Sequence, residues 1–231
     1  MSLFAIGDLH LSLNSDKSME VFRGWERYTE RIEKNWIETV REDDTVVICG
    51  DLSWGMSLNE SLEDFKFLHR LPGKKIVLKG NHDYWWTTMN KMNAFLEENS
   101  LSSISFLHNN AFLVCGISIF GTRGWVNEDS SDYKASDKKV ILREAGRLKA
   151  SLSAAKELGG EPYAFLHYPP LYNSGRSEEI LEVLHSAGIK KCYFGHIHST
   201  ASQFAPKGIY HGVDYSLVSA DYLSFKPEKV I

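Results

Sequence analysis

Cysteine is scarce in this chain. Only Cys49, Cys115 and Cys192 occur, each inside an apolar run and far from the others. An odd count without close pairing excludes a disulfide framework and reads as buried thiols in a reducing compartment. Proline is scarce as well, and no repeat, low-complexity segment or Pro/Gly/Ser-rich linker divides the sequence. The expectation is one domain over residues 1–231, large for a single core but within reach of an α/β fold. Positive charge is not in excess. Lys and Arg number 26 against 30 Asp and Glu, a net charge of −4 that leaves no electrostatic footprint for a long nucleic acid. Long hydrophobic runs are missing too. The longest, "AFLVCGISIFG", is too short to cross a bilayer and is interrupted by Gly116. The start, "MSLFAIGD", is already strand-like and lacks a basic stretch before an apolar one, so no signal peptide is expected and the cytoplasm is the expected location.

What is present alternates between two periods. "LFAIGD", "TVVICGD" and "KIVLKG" are strand-like apolar runs. Between the first two, Val21, Trp25, Tyr28, Ile32, Trp36 and Val40 recur at helical spacing. After the second, Ser57 and Glu60 are placed as a capping box before Leu62, Phe65, Leu68 and Leu71, and Pro72-Gly73 ends that helix. A third helix is expected from Thr87 to Glu98. "SISFLHNN" and "AFLVCGISIFGT" then read as consecutive strands joined by an Asn-Asn turn, an antiparallel middle. A long helix over Ser136 to Leu158, the strand "PYAFLHY", a short helix on Ile180, Leu184 and Ala187, the strand "KKCYFGHIH" and short tail strands complete the pattern. Glu128 to Asp137 and Pro169 to Ser177 are loop segments. Two mixed β-sheets face to face with helices outside, an α/β class, satisfy this order.

The polar residues fall where chemistry is expected. Five strand-like runs end in Asp8-Leu9-His10, Gly50-Asp51, Gly80-Asn81-His82-Asp83, His167 and Gly195-His196-Ile197-His198. Open α/β sheets bind ligands beyond the carboxyl ends of their strands, and parallel strands bring those ends to one edge. Five of the nine histidines lie in these clusters, together with carboxylates and one amide. That nitrogen and oxygen donor set without thiolate suits Mn, Fe, Co, Ni or Zn and disfavours copper(I) or iron–sulfur chemistry. In an extended segment, the spacing of Asp8 and His10, and of His196 and His198, points both side chains one way. The adjoining glycines permit tight turns and close backbone approach.

The ordered set D-x-H, G-D, G-N-H-D, H and G-H-x-H, running from Asp8 to His198, resembles the calcineurin-like metallophosphoesterases. The resemblance implies a four-layer α/β/β/α sandwich of two mixed β-sheets flanked by helices, two divalent or trivalent metal ions and hydrolysis of a small phosphodiester or phosphomonoester. It implies a first metal on Asp8, His10, Asp51 and His198, a second on Asp51, Asn81, His167 and His196, and His82 facing the substrate phosphate. A carboxylate has lone pairs enough for two cations, which suits Asp51 as the bridge. The implied nucleophile is a metal-bridging hydroxide, since two ions about 3.5–4 Å apart lower the pKa of a shared water to roughly 7. His82 is the expected hydrogen-bond donor or general acid, and Asp83 the expected carboxylate that orients it. One departure stands out: many members have a second Asp three residues after the Asp of G-D, where this chain has Trp54, which speaks against the protein serine/threonine phosphatase branch.

Among the remaining candidates, the tryptophans and Arg123 have two readings each. Trp54, Trp85, Trp86 and Trp125 either brace loops or wall a cleft that stacks on the substrate. Arg123 either clamps a phosphate oxygen or is a solvated strand-end residue. Tyr172 and Arg176 are lid candidates. His211 reads as structural, and His69, His108 and His185 as surface or boundary residues. A nuclease acting on a short single strand, or a non-catalytic binding module on the same fold, are the alternatives to the phosphoesterase reading.

Overall fold

The first strand shows how the layers arise. In β1 (Leu3–Ile6) all four residues are buried, but they face two ways. Phe4 and Ile6 join one apolar cluster and Leu3 and Ala5 another. A strand alternates its side chains, so β1 must be covered on both sides. The computed structural model, which describes residues 1–128, 130–172 and 175–231, supplies both covers. After β1 come α1 (Tyr28–Thr39), β2 (Thr45–Ile48), α2 (Leu62–Arg70), β3 (Lys74–Leu78), α3 (Met89–Glu98) and β4 (Ile104–Leu107). The strands β1 to β4 pair in parallel. All three helices pack on the face that carries Phe4 and Ile6, through Ile32 and Trp36, Phe65 and Leu68, and Met92 and Phe95.

The second half repeats the plan. It runs β5 (Phe112–Val114), β6 (Ile117–Thr122), α4 (Asp137–Leu158), β7 (Glu161–Leu166), the small pair β8 (Leu171–Tyr172) and β9 (Gly175–Arg176), α5 (Glu178–Ser186), β10 (Lys191–Phe194), β11 (Gly208–Tyr210), β12 (Val213–Leu217) and β13 (Glu228–Lys229). The second sheet has the order β11-β12-β10-β7-β6-β5, while β13 returns to the first sheet beside β1. Helices α4 and α5 cover the outer face through Leu148, Leu152, Leu181 and Leu184. Between the sheets, Leu3, Val47 and Ile76 meet Ile119, Phe165 and Tyr193. The order helix, sheet, sheet, helix is the expected four-layer sandwich. Both sheets are mixed, because β13, β5 and β11 pair antiparallel at or near the edges. No helix among the described residues is long and apolar enough to cross a membrane.

Four local expectations are corrected. The Asn109-Asn110 turn makes no hairpin, since β4 ends the first sheet and β5 begins the edge of the second. The antiparallel turn lies instead at Cys115-Gly116, both at positive φ, between β5 and β6. Cys115 is therefore exposed, while Cys49 and Cys192 are buried. The first helix starts at Tyr28, not Val21, after a 3-10 turn at Met19–Val21 and a break where Gly24 and Arg27 adopt positive φ. Ser57 and Glu60 form a turn before α2 and do not cap it: the Ser57 hydroxyl accepts the Glu60 N–H, but the Glu60 carboxylate accepts from Met56. The two expected loop segments are loops over their described parts, though α4 begins at Asp137 and β8 and β9 form within the second. Residue 129 of the first and residues 173 and 174 of the second lie outside the described residues.

Candidate metal centre

The parallel strands β1, β2, β3, β7 and β10 end at one edge, and each delivers its cluster there. The chain leaves these strands in unusual conformations. Asp8, His10, Asp51 and His196 all have φ between 45° and 72°, the left-handed region that non-glycine residues seldom adopt outside constrained sites. Close packing of loop on loop depends on two glycines. A Cβ at Gly80 would collide with the carboxylate and backbone nitrogen of Asp51, and one at Gly195 with the carboxylate of Asp8. Gly80→Ala should therefore push Asp51 off its position and destabilise the fold by about 2–3 kcal/mol, read as a lower urea midpoint. An unchanged midpoint would show that the loop relaxes freely.

The converging atoms form two overlapping groups, Asp8 with His10 and His198, and Asp8 with Asp51 and His167. His198 Nε2 lies 3.4 Å from Asp8 Oδ1 and 3.2 Å from His10 Nε2. Asp51 Oδ2 stands 3.7 Å from His10 Nε2 and 3.5 Å from His167 Nε2. Donor atoms bound at about 2.1 Å to one ion are separated by about 3–3.5 Å, so these spacings suit shared cations. Proton bookkeeping makes the same case. His167 Nδ1 is 2.9 Å from the carbonyl oxygen of Cys49 and can only donate to it. Its Nε2 is then a bare lone pair, yet it faces the carbonyl oxygen of Asn81 at 2.6 Å, and His196 Nδ1 faces the same oxygen at 2.9 Å. His196 Nδ1–H can donate to that oxygen, but His167 Nε2 is an acceptor facing an acceptor, a contact that a cation between them would relieve.

The charges agree. Burial pulls the pKa of His10, His167 and His196 down, His196 to about 3, and so keeps them in the neutral form that ligates metals. Burial also pushes Asp51 up, and the charge of Asp8 adds to that. Asp8 behaves oppositely: burial would raise it, but His198, His167 and His10 hold it well below the usual carboxylate range. Burial would lower His198, but Asp8 and Asp221 outweigh it and raise it to about 10. The protein groups alone thus hold a proton where a cation would displace it.

The surrounding residues correct several expectations. Asp83 does not orient His82. Its carboxylate accepts backbone N–H groups from Gly80 at 2.6 Å, Asp51 at 2.9 Å, Leu52 at 2.9 Å and Ser53 at 3.4 Å, and the indole N–H of Trp85 at 3.0 Å. It ties the loop after β3 to the loop after β2. The His82 backbone N–H donates to Asp51 Oδ1, while its ring Nδ1 has no partner among the described residues. Trp54 stacks on His10 at 4.9 Å and lies 4.4 Å from the His82 ring. Trp85 is not a cleft wall: it is fully buried against Phe65 and Phe106. Trp86 packs on Phe106, His108 and Trp85 and braces its loop. Arg123 offers no phosphate clamp, because its guanidinium faces Glu144 of α4 at 3.5 Å and stacks on Trp125 at 4.3 Å. A cleft of about 670 Å³ opens beside His196 and His198 and is lined by Trp125, Asn127, Tyr168 and Tyr172. Arg176 is exposed on β9, and His211 sits exposed in the β11–β12 turn at positive φ.

Three contributors were not read as site residues from the sequence. Asp221 lies 3.1 Å from His198 Nδ1. Tyr168 covers His196 with ring centroids 4.0 Å apart, and Trp25 sets its edge against His10 and His198. Tyr168 follows a cluster residue and was within reach of sequence reasoning. Asp221 is a lone Asp in the tail, with no motif around it.

The calcineurin-like phosphoesterase model matches residues 1–200, and the chain belongs to that family. Solved structures share the fold. The phosphopantetheinyl hydrolase of Mycobacterium tuberculosis aligns over 100% of this chain and 95% of its own with a TM-score of 0.54 at 14% identity. TT1561 of Thermus thermophilus covers 98% and 96% at a TM-score of 0.55 and 12% identity. AQ665 of Aquifex aeolicus, a protein of unknown function, covers 99% and 95% at 0.53 and 14%. No curated protein matches the chain.

Proposed function

We propose that this protein hydrolyses a small phosphodiester or phosphomonoester at a two-metal centre. The observation that carries the reading is the lone pair of His167 Nε2 set against Asn81 Oδ1, with His196 Nδ1 on the same oxygen, next to the buried pair Asp8 and Asp51. One cation would sit on Asp8, His10, Asp51 and His198, and the other on Asp51, Asn81, His167 and His196. Bound there, divalent or trivalent ions would supply Lewis acidity toward the phosphoryl oxygens and a nucleophilic water acidified to a pKa of roughly 7.

The remaining work falls to the chain. Asp51 Oδ1 holds the His82 backbone, and Trp54 flanks the ring, so the imidazole is presented in one orientation. Burial lowers its pKa and favours the neutral imidazole, and that ring is proposed to hydrogen-bond the departing oxygen. The cleft beside His196 receives the organic part of the ester against Trp125, Tyr168 and Tyr172. Its lining sets Asp132 and Asp137 against a single lysine, Lys134, a balance that offers no basic track for a polyanion and favours a small substrate over nucleic acid. The free thiols suit a reducing compartment such as the cytoplasm.

The test is a substrate panel with bound metal quantified in the same preparation. Metal-stripped protein should be inactive, and manganese should restore cleavage of bis-p-nitrophenyl or p-nitrophenyl phosphate. A phosphopantetheinyl substrate joins the panel because one solved neighbour is a phosphopantetheinyl hydrolase. His82→Ala should lower turnover by about 10²–10⁴-fold while bound metal stays at the wild-type level. Stoichiometric metal without turnover across the panel would sink the hydrolase reading.

A further inference from the structure

The family match ends at residue 200, yet the tail beyond it meets the candidate centre. β12 runs beside β10 and its continuation crosses to the end of β1. Gly7 N–H donates to the Val218 carbonyl at 2.7 Å, and Ala220 N–H donates to the Gly7 carbonyl at 2.9 Å. The tail is thereby fastened to the segment that presents Asp8. The next residue, Asp221, turns its carboxylate onto the G-H-x-H loop. Oδ1 lies 3.1 Å from His198 Nδ1, and Oδ2 accepts the Ser199 N–H at 2.7 Å. Ser199 has φ of 53°, a conformation that needs outside support in a non-glycine residue. Farther along the tail, Phe225 packs edge-on against Trp25 at 5.0 Å, and Trp25 in turn meets the His198 ring at 5.8 Å.

We infer that Asp221 is a positioning residue for His198, supplied by a segment outside the family-defining part of the chain. The inference rests on the metal reading proposed above. An imidazole can rotate and can carry its ligand-forming lone pair on either nitrogen. A carboxylate on Nδ1–H removes both freedoms and makes the opposite nitrogen more basic. Here the opposite nitrogen is Nε2, which points to Asp8 and His10. The second carboxylate oxygen fixes the backbone immediately after His198, so one side chain sets both the ring and the loop that carries it. Turn formation alone would require only the Ser199 contact and would leave the ring free.

The experiment is calorimetric titration of Mn²⁺ into the metal-stripped chain of residues 1–231, for wild type, Asp221→Ala, Asp221→Asn, His198→Ala and the His198→Ala/Asp221→Ala double variant. Wild type should show two binding events. Asp221→Ala should weaken one of them by about 10–100-fold and leave the other unchanged. The isosteric Asp221→Asn keeps an oxygen for Nδ1–H but loses the charge, and should fall between. In the His198→Ala background, removing Asp221 should change affinity less than twofold, because the residue it acts through is gone. Melting of the stripped variants reports folding separately. Unchanged Mn²⁺ affinity in both Asp221 variants, or equal losses with and without His198, would overturn the inference while leaving the metal reading intact. No Mn²⁺ binding by wild type would overturn the metal reading and the inference with it.

Discussion

Asp51→Asn should lower phosphoester turnover by roughly a thousandfold or more, the scale set by losing several kcal/mol of charge stabilisation. The substitution changes little else. Asparagine has the shape of aspartate, and its carbonyl oxygen can still accept the His82 N–H that Asp51 Oδ1 accepts at 2.8 Å. What disappears is the negative charge between His10 and His167. A second consequence separates loss of chemistry from loss of fold. In the protein groups alone, burial and the nearby charge of Asp8 raise the Asp51 carboxyl well above its usual value. A folded-state pKa raised above the unfolded one means that stability is full at low pH and declines as pH rises through the interval between them. Metal-stripped Asp51→Asn should therefore melt above metal-stripped wild type at pH 7. The gap should close as pH falls toward 4, where the unfolded carboxyl also takes up its proton. With manganese present the order should invert, because wild type gains more from the cation. A stripped variant that melts below wild type at pH 7 would contradict this account of Asp51.

Much of this was legible in the sequence, for a physical reason. Strand ends in a parallel sheet share an edge, so an ordered set of Asp and His residues at apolar run ends can be assembled without coordinates. Sheet membership was less legible. "SISFLHNN" and the run after it are both apolar, and buried strands have no period that says which neighbour they choose. The chain placed them in different sheets. The start of α1 failed through coincidence of spacing. Trp25 is buried by contacts with His198, Tyr28 and Phe225, not by helical geometry. Asp221 and Asp83 were illegible or misread because their partners are set by tertiary contact. Asp221 reaches a histidine 23 residues earlier. Asp83 binds backbone amides of a loop about thirty residues away, and backbone groups leave no mark in a sequence.

That misreading of Asp83 leads to the largest expected effect on stability. The carboxylate is fully buried and accepts from four backbone N–H groups and one indole N–H. Burial and the charge of Asp51 lift its pKa to about 7, against the pull of the Gly80 and Ser53 amides. Asp83→Ala leaves those donors without an acceptor in a site walled by Trp85. An unsatisfied buried donor costs about 1–3 kcal/mol, and partial relaxation makes several such losses less than additive. A total near 4 kcal/mol is expected, in the upper tail for single substitutions. For a chain of this size that is a fall in Tm of roughly 10 °C. Asp83→Asn should recover only part, because its NH₂ group brings further donors into a site that needs acceptors. The loops after β2 and β3 would then separate, and with them Asp51 from Asn81. Stripped Asp83→Ala should thus lose affinity for Mn²⁺ even at a temperature where it remains folded, whereas stripped His82→Ala should not. A Tm within a few degrees of wild type would show that Asp83 is an ordinary turn residue and that the two loops hold together without it.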